Sequence, residues 1–119
     1  VSYIAENPAE LEARFVGIYG AEAVSLEPGY LKVQTDRGIF EVLSPEMARV
    51  RFAGVGIPVG DGQLPTGVAI RVSTATPDAA RELLINNGVE FVETPQGGLR
   101  IPAHYAGNTI IEIYPENIA

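Results

Sequence analysis

The sequence contains no cysteine and no tryptophan, a single methionine, one histidine (His104) and one lysine (Lys32). Without cysteine there is no disulfide framework, no thiol nucleophile and no thiolate metal site. The arginines are scattered along the chain, so no basic patch is visible, and the net charge of −7 argues against a phosphate-binding surface. Nucleic acid is therefore excluded as an expected partner. No apolar run approaches the roughly 18 residues of a membrane span, and no charged-then-apolar leader opens the chain. No Ser-His-Asp arrangement or Walker loop occurs. Gly54-Val55-Gly56 with Gly60 is not a dinucleotide fingerprint, because the spacing is wrong and no strand–helix junction brackets it. These absences point to a cytoplasmic protein with no nucleic-acid or membrane partner.

What remains is an ordinary folded domain. The chain has 119 residues, 46% of them hydrophobic and 19% charged. That length suits one domain able to bury roughly two thirds of its unfolded surface. The first residue is Val1 rather than Met, which reads as a domain cut from a longer protein.

The strongest signal is an internal repeat. Gly20-Ala21-Glu22-Ala23-Val24 returns as Gly88-Val89-Glu90-Phe91-Val92, and Gly29-Tyr30-Leu31-Lys32-Val33 as Gly97-Gly98-Leu99-Arg100-Ile101. Asn7-Pro8 is echoed by Thr76-Pro77, and Glu41-Val42-Leu43-Ser44-Pro45-Glu46 by Glu112-Ile113-Tyr114-Pro115-Glu116. Two copies are too few for a solenoid, which needs several units to bury its core. They suit two half-domains with a cleft that receives matched residues from each.

Each copy spells the same element order. In module one (residues 1–50), Val1 to Ala5 is a strand, Asn7 caps a helix and Pro8 takes its first position. Leu11, Phe15, Ile18 and Tyr19 recur at helical spacing and predict its buried face. Strands over 22–26, 30–35 and 39–43 follow, separated by Pro28-Gly29 and Asp36-Arg37-Gly38. In module two (residues 68–119), a strand over 68–73 leads to a helix capped by Thr76-Pro77, with Ala80, Leu83 and Leu84 facing inward and Asn87-Gly88 closing it. Strands are expected over 89–93, 99–102 and 109–114. Residues 51–67 form a Gly- and Pro-rich crossover too apolar for a flexible linker, and it reads as ordered and covering the cleft. The class is α+β: two tandem βαβββ modules making a curved, cup-like mixed sheet with the helices on its outer face. A duplicated ferredoxin-like arrangement would leave a strand over in each half.

This order resembles the vicinal oxygen chelate superfamily, which includes glyoxalase I, bleomycin-resistance proteins and extradiol dioxygenases. The resemblance spans the whole chain. It is carried by Asn7-Pro8 and Thr76-Pro77 at the helix starts, Asn86-Asn87-Gly88-Val89 after the second helix, and Ile111-Glu112-Ile113-Tyr114-Pro115 in the last strand. Gly98-Leu99-Arg100-Ile101-Pro102-Ala103, followed by Ala106-Gly107, is similar to the glyoxalase-like subgroup. The resemblance implies a divalent metal (Fe, Mn, Ni or Zn) held by a His from each first strand and a Glu or Gln from each last strand. A vicinal dioxygen substrate then chelates the metal, which stabilises an enolate or activates dioxygen. Carried over, the last-strand ligands are Glu41 and Glu112. The His positions fall on Ala69, within one residue, and at or just before Val1, so the imidazole partners are absent and the visible sequence favours no metal.

The candidate residues admit two readings. Glu41 and Glu112 are either metal ligands in the cup or plain carboxylates opposite an apolar face made by Phe40, Val42, Ile111 and Ile113. Arg71 alternates with Ala69 and Ser73; it either pairs with an anionic ligand or forms an ion pair with Glu112. Arg71 and Tyr114 are the candidate ligand-binding residues. His104, in a loop added to the repeat, is a surface residue or a general base. Two functions follow: metal-assisted lyase or dioxygenase chemistry, or metal-free small-molecule binding, as in a sequestering or non-catalytic half of a tandem protein. A homodimer joined through sheet edges or exchanged units suits this architecture.

Overall fold

The computed structural model describes residues 1–59 and 62–116. Gly60 and Asp61 of the crossover lie outside the described residues. The chain divides into two compact units, Val1–Phe52 with Val59–Val68, and Ala53–Pro58 with Ala69–Ala119.

In the first unit, β1 (Ser2–Ile4) runs parallel to β4 (Gly38–Leu43), which pairs antiparallel with β3 (Tyr30–Thr35), and β3 with β2 (Val24–Glu27). Asn7 caps as its sequence predicts: its Oδ1 accepts from Ala9 N at 3.2 Å. The turn that Pro8 opens is a 3-10 turn, Pro8–Leu11, before α1 (Glu12–Tyr19) begins. Period-two alternation sends Tyr3, Leu31, Phe40 and Val42 to one face of the strands. There Leu11 and Phe15 pack on a core of Ala5, Leu31 and Val42. Phe40 stacks on Tyr3 at 4.7 Å between ring centroids and meets Phe15 at 5.1 Å. Burying each such side chain stabilises the module by roughly 1.5–3 kcal/mol. The opposite face carries Ser2, Lys32 and Glu41.

The second unit repeats this order with β5 (Thr66–Thr74) parallel to β8 (Ile110–Pro115), then β7 (Leu99–Ile101) and β6 (Val92–Glu93), each antiparallel to its neighbour. Helix α3 (Pro77–Asn86) joins β5 to β6; Thr76 holds its N-cap position, but its side chain makes no capping hydrogen bond to the helix. The repeat reaches the backbone itself: Gly29 and Gly97 both occupy the left-handed region, with φ of 72° and 82°, which side chains other than glycine rarely adopt.

The helix faces differ from the sequence expectation. Ile18, Tyr19 and Leu83 are exposed, at 63%, 47% and 61%. The half-buried stripes are Leu11, Glu12, Phe15 and Val16 in the first helix and Pro77, Ala80, Arg81 and Leu84 in α3. At about 100° per residue, Leu83 falls off its stripe, whereas Ile18, seven residues from Leu11, stays at the edge of its own and is exposed near the helix end. Tyr19 is on the stripe but in the last turn, where with Ile18 it walls an open groove beside Asp36 and Arg37. The strands β2 and β6 also start later than expected. Residues 21–23 form a 3-10 turn before β2, and β6 keeps only Val92 and Glu93 of the expected 89–93.

A helix the repeat does not announce, α2 (Pro45–Arg51), follows β4. Its start was visible: Ser44 caps it, Oγ accepting from Met47 N at 3.2 Å, and Pro45 fills the first position. Ser44→Ala should therefore cost about 1 kcal/mol, measured as a lower urea midpoint with an unchanged denaturant slope. The crossover begins within α2, to which Arg51 still belongs. Ala53–Pro58 packs within the second unit, where Gly54 sits so tightly on Val92 that an added Cβ would lie 3.1 Å from the valine methyls.

Candidate functional site

Glu41 lies on β4 with Ser2 of β1 on one side and Lys32 of β3 on the other. Ser2 Oγ donates to Glu41 Oε2 at 2.6 Å, and Arg51 Nη2, from the end of α2, lies 3.4 Å from the same oxygen. Arg51 is also placed over the Phe52 ring, 4.6 Å from its centroid. All three groups are in the first unit, and Ser2 and Glu41 are buried.

Glu112 holds the matching place in the second unit, between Arg71 of β5 and Arg100 of β7. It is fully buried, at 0% exposure. Its Oε1 accepts from Arg71 Nε at 3.3 Å and its Oε2 from Arg100 Nε at 2.8 Å. Arg100 is buried as well, and its Nη1 donates to the Ala53 carbonyl at 2.6 Å. Arg71 differs, because its side chain is 41% exposed. Its guanidinium lies over Tyr114, 3.8 Å from the ring centroid. Tyr114 is buried, and Gly98 leaves the space for its ring.

The two glutamates thus occupy equivalent positions, as the repeat implies, and Arg71 and Tyr114 join one of them. Arginines scattered in sequence are brought together by register, since β5, β8 and β7 set Arg71, Glu112 and Arg100 side by side. Arg100, Ser2 and Arg51 are site residues that sequence reasoning missed. For Arg100 a signal existed: a cation recurs at the same repeat position, Lys32 in one copy and Arg100 in the other. His104 lies apart from these clusters in kind. It sits exposed on the 3-10 turn Ala103–Tyr105, its ring 4.2 Å from that of Tyr105, whose hydroxyl accepts from Glu90 N. The groove of about 790 Å³ beside Ile18, Tyr19 and Arg37 contains none of the candidate residues.

A structure described as an NAD-dependent benzaldehyde dehydrogenase from Legionella pneumophila aligns with TM-score 0.55 and 9% identity, over 96% of this chain and 95% of that one. A glyoxalase/bleomycin resistance protein/dioxygenase from Nocardioides aligns with TM-score 0.36 and 19% identity, over 99% of this chain and 83% of that one. A glyoxalase-related enzyme from Fulvimarina pelagi aligns with TM-score 0.36 and 20% identity, over 98% of this chain and 85% of its own. No protein-family model matches the sequence, and no curated protein matches it. Strand, helix and three strands, completed twice with the first strand of each set parallel to its last, decide the architecture. Each half of the chain has the βαβββ order that its sequence predicts. At these identities the likeness concerns the fold alone, and function must be argued from side chains.

The resemblance to the vicinal oxygen chelate superfamily places a His on each first strand. The register sets Ser2 beside Glu41 and Arg71 beside Glu112. The position facing Glu41 is thus inside the chain rather than before Val1, and Arg71, not Ala69, faces Glu112. Neither is an imidazole. Both Glu112 oxygens accept from guanidinium groups, which would repel a divalent cation brought to the same carboxylate. Among the described residues no group of three or more His, Asp or Glu side chains gathers into a metal-holding set. The donors present do not fit a transition-metal ion. No helix among the described residues is long and apolar enough to cross a membrane.

Proposed function

We propose that this chain is a small-molecule-binding domain of the vicinal oxygen chelate fold that works without a metal. The observation that supports this reading is the state of Glu112: buried, with each carboxylate oxygen already bonded to an arginine. A buried carboxylate in that state is neutralised by protein cations, as buried charges must be. The same logic holds for Glu41, served by Ser2 and Arg51. The paired glutamates of the repeat then orient polar side chains on their strands instead of holding an ion. Small-molecule sites in general combine apolar walls with a few fixed polar groups, and Arg71 over Tyr114 is such a group. The reading assigns binding and no reaction.

Thermal melting of the chain in EDTA with a panel of aromatic and hydroxy-acid compounds tests it. Saturable stabilisation by at least one compound in the presence of the chelator is expected. Stabilisation that appears only after Fe, Mn, Ni or Zn is added would show the reading to be wrong.

A further inference from the structure

Beside the last-strand glutamate, module one has a hydroxyl, Ser2, where module two has a guanidinium, Arg71. The Arg71 head is held at two points. Its Nε donates to Glu112 Oε1 at 3.3 Å, and its Cζ lies 3.8 Å above the centroid of the Tyr114 ring. Neither support is free to drift. Glu112 is also bound by Arg100, and Tyr114 is 2% exposed with the Gly98 backbone against its ring. The rest of the head is open: the side chain is 41% exposed, and its terminal nitrogens make no hydrogen bond to a described residue.

A guanidinium with its Nε engaged and its end-on edge open presents two parallel N–H donors, the pattern a carboxylate accepts. Fixing the fork in advance removes much of the entropy cost of using it. Charge selects the same class. Arg71 and Arg100 face the single carboxylate of Glu112, so the trio carries one excess positive charge within a chain of net charge −7. We infer that module two binds a small organic monoanion through its carboxylate, gripped end-on by the two Nη groups of Arg71. This inference rests on the metal-free binding reading and adds to it the chemical class of the ligand.

Calorimetric titration of the full chain with benzoate, salicylate and lactate, each beside its uncharged amide, tests it. At least one acid should bind, and its amide should bind about ten- to a hundredfold more weakly, the range set by losing charge-assisted hydrogen bonds. Arg71→Gln should lose the acid by a similar factor, and Arg71→Lys, a point charge without the fork, should fall between. An acid and amide that bind alike, or an Arg71→Gln variant that binds the acid as wild type does, would overturn the inference while leaving small-molecule binding intact. Binding of neither member of any pair would contradict both the inference and the metal-free reading. The acid–amide comparison uses the unaltered chain, so it holds even where a variant fails to fold.

Discussion

Replacing Arg100 with alanine should destabilise this chain by about 3–5 kcal/mol, the cost of breaking a buried ion pair by removing one member. Glu112 is at 0% exposure and Arg100 at 7%, so water cannot take over when the guanidinium is removed. The substitution also orphans the Ala53 carbonyl, which accepts from Arg100 Nη1 at 2.6 Å. A loss of that size is a large part of the 5–15 kcal/mol typical of a domain, and urea unfolding would show it as a collapse of the midpoint. Arg71→Ala removes a cation from the same carboxylate but from an exposed side chain, so its cost should stay within about 1 kcal/mol. Removing both charges of the buried pair, in Arg100→Met with Glu112→Leu, should recover much of the stability that Arg100→Ala loses. Arg100→Ala unfolding within about 1 kcal/mol of wild type would mean that the buried pair does not carry the charge balance of module two.

Gly98→Ala should cost about 1–3 kcal/mol, the usual range for forcing extra volume into a packed site. A Cβ there would lie 2.5–2.7 Å from ring atoms of Tyr114, which has no flexible end to swing aside. The comparison of modules explains why this site is a glycine. Tyr30 and Leu43 face each other across β3 and β4, and in the repeat they correspond to Gly98 and Tyr114. The bulky ring has moved from one strand to its neighbour, and the position it left has shrunk to make room. In module two the ring then serves Arg71, lying 3.8 Å beneath its guanidinium. Gly98→Ala should therefore disturb Arg71 as well as stability. Adding Tyr114→Leu, the module-one choice, should relieve the clash, so that the double variant is more stable than additivity of the single ones allows. Strict additivity would show that the two positions do not share the space.

The element order was legible because its signals are local. Asn7-Pro8, Pro28-Gly29 and Asn87-Gly88 act within a few residues of themselves, and each fulfils its expected role. Ser44-Pro45 carried the same kind of signal for α2, but its reading as part of a strand-end repeat hid the helix start. The faces of the helices were less legible, since Ile18 and Leu83 are apolar yet exposed. Glu41 and Glu112 could be paired from the repeat alone. Of their partners Arg71 could be read, as an ion pair with Glu112; Arg51 reaches Glu41 from a helix that was not expected, and Arg100 meets Glu112 only once β7 takes up register beside β8. The lysine and arginine repeated at positions 32 and 100 were the trace of Arg100's place in the sequence.

The central claim is that arginines, and not a metal, neutralise the paired glutamates. Elemental analysis of the chain purified without chelator or added metal, after equilibration with Fe, Mn, Ni and Zn in turn and removal of free ion, tests it most directly. The account predicts well below one ion per chain for every metal, with no difference between wild type and the Glu41→Ala Glu112→Ala variant. About one ion per chain, lost in that double variant while the fold persists, would contradict it.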